Sequence, residues 1–385
     1  MEIQRLKEER LLKSLAHFPC VGILGPRQCG KTTLSKLLMD KLGKQAVYLD
    51  MESERDRSAL SSPELFFDQH MDECIVLDEI QVHPDLFPIL RSSIDKNRVP
   101  GRFILLGSSS PHLLRKSNES LAGRESYHEL SPFNLLEIDK PLQHRLTGGY
   151  PECYLFEDVD ISFEWLANYV ASYVQRELPA LGLNTHPHNI QKLLTMLAHV
   201  HGNLLNIEQL SGSLGISATS VRNYLGFIED AFLIRRLKPF HANLKKRLVK
   251  SPKVYIRDVG VLHQLLGIGS RKDYEFSPQL GASWEGYVIE QILQLLPAPY
   301  LSYFYRTHQG TECHLVITKG DQPIISVEVK YTAAPKMTKS FTTAIDDLGT
   351  KNNFIIVPRE EDFPLTDNVQ VVGLETFLKN IILDL

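Results

Sequence analysis

The chain reads as an α/β protein in three successive parts: a parallel sheet wrapped by helices, a helical part ending in a winged helix, and a second, smaller α/β sheet. Three observations predict this. Between residues 17 and 135, apolar strand-like runs (CVGILG, AVYLDME, CIVLDEI, RFILLGSS) alternate with helical ones such as TTLSKLLMDKL, the pattern of a parallel sheet flanked by helices. From 160 to 235 nearly everything has helical period, as in FEWLANYVASYVQRELPAL and IQKLLTMLAHVHGNLL. From about 280 the order becomes helix, three strands, helix, strand. A chain of 385 residues exceeds one typical core, and the shifts of pattern place the parts at 1–145, 146–270 and 271–385. TGGYPE and GIGSRKDYEFSPQLG are the expected joints.

Composition narrows the class. Apolar residues at 43% and charged ones at 23% are ordinary for a soluble globular protein. No apolar run approaches the roughly 18 residues of a membrane span. The opening MEIQRLKEERLLKSLAHF is charged and helix-patterned, without the apolar core of a secretory signal. A cytoplasmic protein with no membrane partner is the expectation. Cys20, Cys29, Cys74, Cys153 and Cys313 are scattered and form no C-x-x-C pair, so neither a zinc ribbon nor a disulfide framework is indicated and buried filler is their expected role.

The first part opens on GPRQCGKTT. Gly25, Pro26, Arg27, Gln28, Cys29, Gly30, Lys31 and Thr32 fit G-x-x-x-x-G-K-[ST], with a strand before, a helix after, and Thr33 in that helix's first turn. Glycines let backbone N–H groups curl around phosphates, and the helix N-terminus adds partial positive charge. Lys31 is expected to reach the β- and γ-phosphates of ATP, and Thr32 to ligate Mg²⁺. Downstream, CIVLDEIQ ends an apolar strand in Asp78 and Glu79, one carboxylate for Mg²⁺ and one to polarise water. RFILLGSSS offers Ser108 or Ser109 to the γ-phosphate or the attacking water, and Arg124 in SLAGRESYHELSPF is a candidate to stabilise the transition state from its own or a neighbouring subunit.

GPRQCGKTTL, YLDME, LDEIQ, LLGSSS and SLAGRESYHELSPF together resemble the AAA-type ATPases of bacteria and archaea that carry a DUF4143 C-terminal region. GGYPE and KVYIRDVGVLHQLLG are similar to markers of that C-terminal half. The resemblance covers nearly the whole chain. It implies an AAA+-like P-loop ATPase core, a winged-helix segment and a nuclease-like terminal fold.

The middle block has the cadence of a helix-turn-helix. IEQLSGSL is followed by a Gly-Ile-Ser turn and a second helix with Ser217 as its N-cap. Thr219, Ser220, Arg222 and Asn223 would face a DNA groove. LIRRLKPF and the acid-free run holding Lys245, Lys246, Arg247, Lys250 and Lys253 would form a wing against phosphate. A net charge of −4 offers no global argument for nucleic acid, so such binding would be local, electrostatic and little concerned with base sequence. A purely structural module is the alternative.

Helix, three-stranded meander, helix, strand is the order of a PD-(D/E)XK nuclease core. Glu285 lies in the first helix, and SVEVK supplies Glu328 and Lys330 on one strand face. Resemblance to the active pattern calls for aspartate at 314, where this chain has His314. A hard ion wants oxygen ligands, so a degenerate, weak or silent site is expected, with Glu312 on the same strand face as a partial substitute. The leading expectation is an oligomeric, ring-like Mg²⁺-dependent ATPase acting on DNA. The alternatives are an ATP-dependent switch that docks a protein partner, and an ATP-licensed DNA nuclease.

Overall fold

A computed structural model describes residues 3–110, 121–241, 247–360 and 362–385. Five strands, β1 (Cys20–Leu24), β2 (Ala46–Asp50), β3 (Cys74–Asp78), β4 (Phe103–Gly107) and β5 (Glu125–Glu129), form a sheet in the order β2-β3-β4-β1-β5. All pairs are parallel. β1, β3 and β4 are buried throughout, which is why each is an unbroken apolar run rather than an alternating one. Leu24, Ile75, Leu77, Phe103 and Leu105 meet Phe67, Leu90 and Ile94 on one face. Those three come from the helices α4 (Pro63–Gln69) and α5 (Leu86–Lys96), beyond the short α3 (Glu54–Ala59). Val21, Ile23, Val76, Ile104 and Leu106 meet Leu11, Leu15, Leu34 and Leu38 on the other, from α1 (Glu8–Leu15) and α2 (Lys31–Lys41). The sequence pattern misses β5. It is a partly exposed edge, ESYHE, with no apolar run to betray it.

The middle region contains helices α6 (Pro141–Thr147), α7 (Pro151–Leu155) and α8 (Val159–Ser172), the last running into a π-helical turn at Tyr173–Glu177. Then come α9 (Pro187–His199), α10 (Ile207–Leu214), α11 (Ala218–Asp230), an antiparallel hairpin of β6 (Ile234–Leu237) and β7 (Lys253–Ile256), and α12 (Val259–Leu265). The Ser217 side chain accepts the N–H of Ser220, as an N-cap should.

The GGY stretch proves to be no loose joint, since residues 146–150 are all buried. The carboxylate of Asp258 caps α12 through the Val261 N–H and also accepts the Gly149 N–H at 2.8 Å. Gly148 has φ +81°, and a Cβ there would lie 2.2 Å from Asp258 Oδ1. Gly148→Ala is therefore expected to cost about 3 kcal/mol of stability, combining backbone strain with a clash. A lowered urea midpoint would show it.

The last region holds α13 (Arg271–Glu275), α14 (Leu280–Leu295), the meander β8 (Tyr300–Arg306), β9 (Glu312–Lys319) and β10 (Gln322–Val329), then α15 (Lys339–Leu348) and β11 (Asn352–Val357). Two strands that the sequence pattern does not give, β12 (Phe363–Thr366) and β13 (Val369–Gly373), complete a sheet ordered β12-β13-β11-β10-β9-β8. Trp284, Val288 and Ile292 of α14 pack on one apolar cluster of this sheet, and Phe341, Ala344 and Ile345 of α15 on another. Among the described residues no helix is long and apolar enough to cross a membrane.

Three buried histidines are held in the neutral form, His144 and His263 stitching these parts together and His201 bracing the middle region internally. The His144 ring bonds the Tyr287 hydroxyl and the Phe133 carbonyl, both at 2.9 Å. His263 joins the Leu146 carbonyl at 2.8 Å to the Ser283 hydroxyl at 2.7 Å. His201 accepts the Ile256 N–H at 3.0 Å. Burial pushes their pKa values down to about 4, 4 and 3 respectively. A folded pKa below the unfolded one means stability that is full above about pH 6.5 and is lost as pH falls through that value toward the folded ones. At pH 5 each should have cost about 2 kcal/mol. Asp258, raised by burial to about 6, works the opposite way and offsets part of the loss. Urea midpoints at pH 7.5 and 5.0 should differ strongly, and His263→Asn should reduce the difference.

Candidate functional site

The glycine loop lies where β1 ends and α2 begins, at the edge of the sheet that also carries the ends of β3 and β4. Gly30 is the N-cap of α2 with φ +97°, and Gln28 is also left-handed at +62°. The Cys29 thiol donates to the Leu130 carbonyl at 3.2 Å and fixes the loop from below. Gly25 is pressed against the same carbonyl, which a Cβ would approach to 2.0 Å. Lys31 is buried and its ammonium donates to the carbonyls of Gly25 and Pro26, each at 3.0 Å. An ammonium so placed closes the loop on itself and is the group an incoming phosphate would draw away. Thr33 is exposed on the first turn of α2.

Thr32 and the end of β3 meet directly. The Thr32 hydroxyl donates to Asp78 Oδ2 at 2.7 Å. The same carboxylate oxygen accepts the Tyr48 hydroxyl from β2, and burial together with that bond pushes the Tyr48 pKa up. Hydroxyl and carboxylate oxygens at this spacing suit a small hard cation such as Mg²⁺, so Thr32 and Asp78 fit the ion that a P-loop uses.

Glu79, just past β3, has φ +52°, a strained setting for a non-glycine residue. The amide of Gln81 donates to Glu79 Oε2 and to the Ser108 hydroxyl at 2.9 Å. Glu79 and Ser108 are thus joined through Gln81, which the sequence reading missed although it stands two residues past Glu79. The Ser109 hydroxyl is buried with no hydrogen-bond partner among the described residues.

Arg27 points away from the loop. It forms ion pairs with Glu52, just beyond β2, and with Glu177 on the π turn. Beside it opens a cleft of about 400 Å³ lined by Arg27, Gln28, Trp165, Tyr169, Arg176 and Glu177 among others. Arg5, near the start of the chain, donates to the Cys29 carbonyl at 2.8 Å, to the Ser131 carbonyl at 2.6 Å and to Glu137 at 3.1 Å. No motif announces Arg5 or Glu177, and YLDME assigns Tyr48 no role, because each reaches the loop only through the tertiary fold.

Arg124 is not brought to this site, which corrects the expectation that it might serve its own subunit. It precedes β5, and the register of β5 on β1 sets Glu125 beside Cys20, at the opposite edge of the sheet from the loop. Five strand residues separate the two edges, about 17 Å. Its guanidinium makes a two-pronged pair with Asp95, at 2.6 and 2.8 Å.

On α11, Thr219, Arg222 and Asn223 are exposed and Ser220 is half-buried. Arg222 lies 3.7 Å from Glu208 of α10. Lys245 and Lys246 fall outside the described residues. Arg247 and Lys250 are exposed, yet the strand-like chain around them is laid along β8, with the Val249 N–H on the Arg306 carbonyl at 3.1 Å. Lys253, counted with this basic face from the sequence, is instead interior at 2% exposure. It is buried because Glu285 and Glu312 wait for it at 2.9 and 2.7 Å.

That pairing belongs to the C-terminal cluster, where Glu285, Glu312, His314, Glu328 and Lys330 do converge. His314 lies 3.7 Å from Glu285 and 3.9 Å from Glu328, and Lys330 3.4 Å from Glu328. Burial would raise the Glu285 pKa. The pull of His314 and Lys253, with hydrogen bonds from Tyr255 and Lys253, overrides it and holds that carboxyl at about 2.

Three family models match the chain in succession: an AAA domain (AAA_14) over residues 17–138, a domain of unknown function (DUF8612) over 138–272, and a domain of unknown function (DUF4143) over 280–377. The uncharacterized protein Rv2008c of Mycobacterium tuberculosis is 39% identical over 373 residues, covering 96% of this chain and 83% of that one. The chain belongs to this family of AAA-domain proteins with a DUF4143 region. The uncharacterized protein MJ1544 of Methanocaldococcus jannaschii matches at 24% identity over 374 residues, 86% of this chain and 79% of that one. Relatives of the family thus occur in bacteria and archaea. Among solved structures, the Walker-type ATPase PABY2304 of Pyrococcus abyssi aligns with 69% of this chain and 96% of its own at 16% identity and a TM-score of 0.48, too distant to add to the fold. Membership of the family makes the parallel sheet at the N-terminus an AAA-type P-loop ATPase fold.

Proposed function

We propose that this chain hydrolyses ATP to ADP and phosphate in a Mg²⁺-dependent reaction on its first sheet. The observation that carries the reading is the contact of Thr32 with Asp78, with Glu79 tied through Gln81 to Ser108 beside it. Backbone N–H groups of residues 27–33 would cradle the phosphates, and Lys31 would leave its two loop carbonyls for the β- and γ-phosphate oxygens. Thr32 and Asp78 would hold Mg²⁺, whose chemistry is to neutralise charge on those oxygens. Glu79 would orient the attacking water and take its proton, and Ser108 would sense the γ-phosphate through Gln81. Arg124 can act only on a neighbouring copy, after exchanging Asp95 for phosphate, so its use implies a homo-oligomer such as a ring.

We further read the segment from α10 to β7 as a winged helix and the last sheet as a PD-(D/E)XK-like fold that together hold the backbone of DNA. The exposed Thr219, Arg222, Asn223, Arg247 and Lys250 support this. Binding should weaken steeply with salt and depend little on sequence, and Arg222→Ala should shallow the salt slope. A second reading, an ATP-controlled switch that docks a protein partner, is favoured by one observation. Arg27 of the phosphate loop is paired with Glu177 of the middle region, so a γ-phosphate would compete for one of the cations that join the two regions. The deciding experiment measures ATP turnover by wild type and Lys31→Ala with no DNA, single-stranded DNA, duplex and four-way junction. Turnover that is absent in wild type refutes the ATPase reading. Turnover that depends on Lys31 yet ignores every DNA favours the switch.

A further inference from the structure

A nuclease-like site would hold a divalent metal among its carboxylates, and the residues present do not fit one. The position between Glu285 Oε1 and Glu312 Oε1 is filled by the ammonium of Lys253, at 2.9 and 2.7 Å. The Tyr255 hydroxyl adds a second bond to Glu285 at 2.7 Å. His314 has no lone pair to give, because its Nδ1 accepts the Val329 N–H at 3.1 Å and its remaining N–H is directed toward Glu285. Glu328 Oε2 is left over, buried and without a hydrogen-bond partner among the described residues. Among the described residues no group of three or more His, Cys, Asp or Glu side chains is arranged to hold a metal ion.

We propose that Lys253 is the resident cation of this cluster: its ammonium stands where a divalent metal would otherwise sit, and the carboxylates become a metal site only when it is removed. The physical reason is charge. Three carboxylates, Glu285, Glu312 and Glu328, gather in a partly dry space and need positive charge to stay ionised together. Lys253 supplies it from β7 at no cost in bound ion, while Arg306 and Lys330 serve the rim at 3.4 Å each. Because β7 belongs to the hairpin after α11, the same ion pair fastens that hairpin to α14 and β9. The cluster is thereby a fastening between regions and is closed to metal-dependent phosphodiester cleavage. The inference is independent of the ATPase reading.

The test titrates Mn²⁺ into the nucleotide-free full chain by calorimetry, with thermal melting as a second readout. Four forms are compared: wild type, Lys253→Arg, Lys253→Met, and Lys253→Met/Glu328→Gln. Wild type and Lys253→Arg should show no site that depends on Glu328. Lys253→Met should bind Mn²⁺ at least about tenfold more tightly than wild type and melt at higher temperature when Mn²⁺ is present. Adding Glu328→Gln should remove both effects. Lys253→Met that is unfolded alone but folds with Mn²⁺ supports the proposal equally. Three results overturn it: tight Mn²⁺ binding by wild type that Glu328→Gln abolishes, a folded Lys253→Met with no gain, or a Lys253→Met chain that Mn²⁺ cannot rescue.

Discussion

Glu79→Gln is expected to leave ATP bound and unhydrolysed. The substitution keeps the size and the bond from Gln81 but removes the carboxylate beside Asp78 that could take a proton from water. General-base loss of this kind lowers kcat by about 10²–10⁴-fold. Affinity for nucleotide should stay near wild type, because the loop, Lys31 and Thr32 are untouched. Lys31→Ala should do the reverse and weaken binding itself. The split is readable by pairing phosphate release with the fluorescence of a labelled ATP analogue. Gln81→Ala should fall between the two, since it frees Glu79 from the Ser108 chain without removing the carboxylate. Turnover by Glu79→Gln within about a factor of ten of wild type would assign the base elsewhere.

Arg257→Ala is expected to be the most damaging single change outside the loop. Its guanidinium is 8% exposed and bonds Glu290 of α14 at 2.7 Å while also pairing with Glu129 at the end of β5. Arg235 of β6 grips the other oxygen of Glu290 at 2.7 Å. One arginine therefore links the first sheet, the hairpin and the last helix-and-sheet unit. Removing it leaves a buried carboxylate short of a partner, which costs about 3–5 kcal/mol. The cooperative thermal transition should drop, and it should split if the three regions no longer melt together. Arg257→Ala combined with Glu290→Ala should recover part of the loss, as a coupled pair requires. Equal stability of Arg257→Ala and wild type would mean that the regions are held by their apolar contacts alone.

The sequence was most informative where function is local. A phosphate loop is eight consecutive residues whose backbone does the work, so GPRQCGKT can be read without a fold. Three strands of the first sheet, β1, β3 and β4, were legible because burial on both faces demands apolar runs, and the half-buried edge β2 was legible from its short apolar stretch. β5 and β12 were not, because half-exposed edges need no such run, whereas β13 is an interior strand buried at all but Gln370 that the pattern simply does not give. The partners of the site were hidden for a different reason. Tyr48, Gln81, Arg5 and Glu177 are ordinary polar residues whose meaning is set by which strand end or helix turn lies opposite. Lys253 shows the limit most clearly. In the sequence it is one more cation in a basic run. In the fold, strand alternation and two carboxylates, one from a helix and one from a strand, turn it inward. Arg124 shows the converse, a residue suitably placed in sequence that the sheet register carries to the far edge.

All five thiols are buried, and their pKa values are raised, Cys74 and Cys313 to about 12, chiefly by burial. Thiolate is the reactive form, so the folded chain should be almost silent to maleimides and disulfide reagents. That silence makes the native protein its own blank for labelling. A single cysteine introduced on the exposed face of α8, paired with another on α3, would carry dyes without any native thiol being removed. Opening and closing between the phosphate loop and the middle helices could then be followed as a distance in real time.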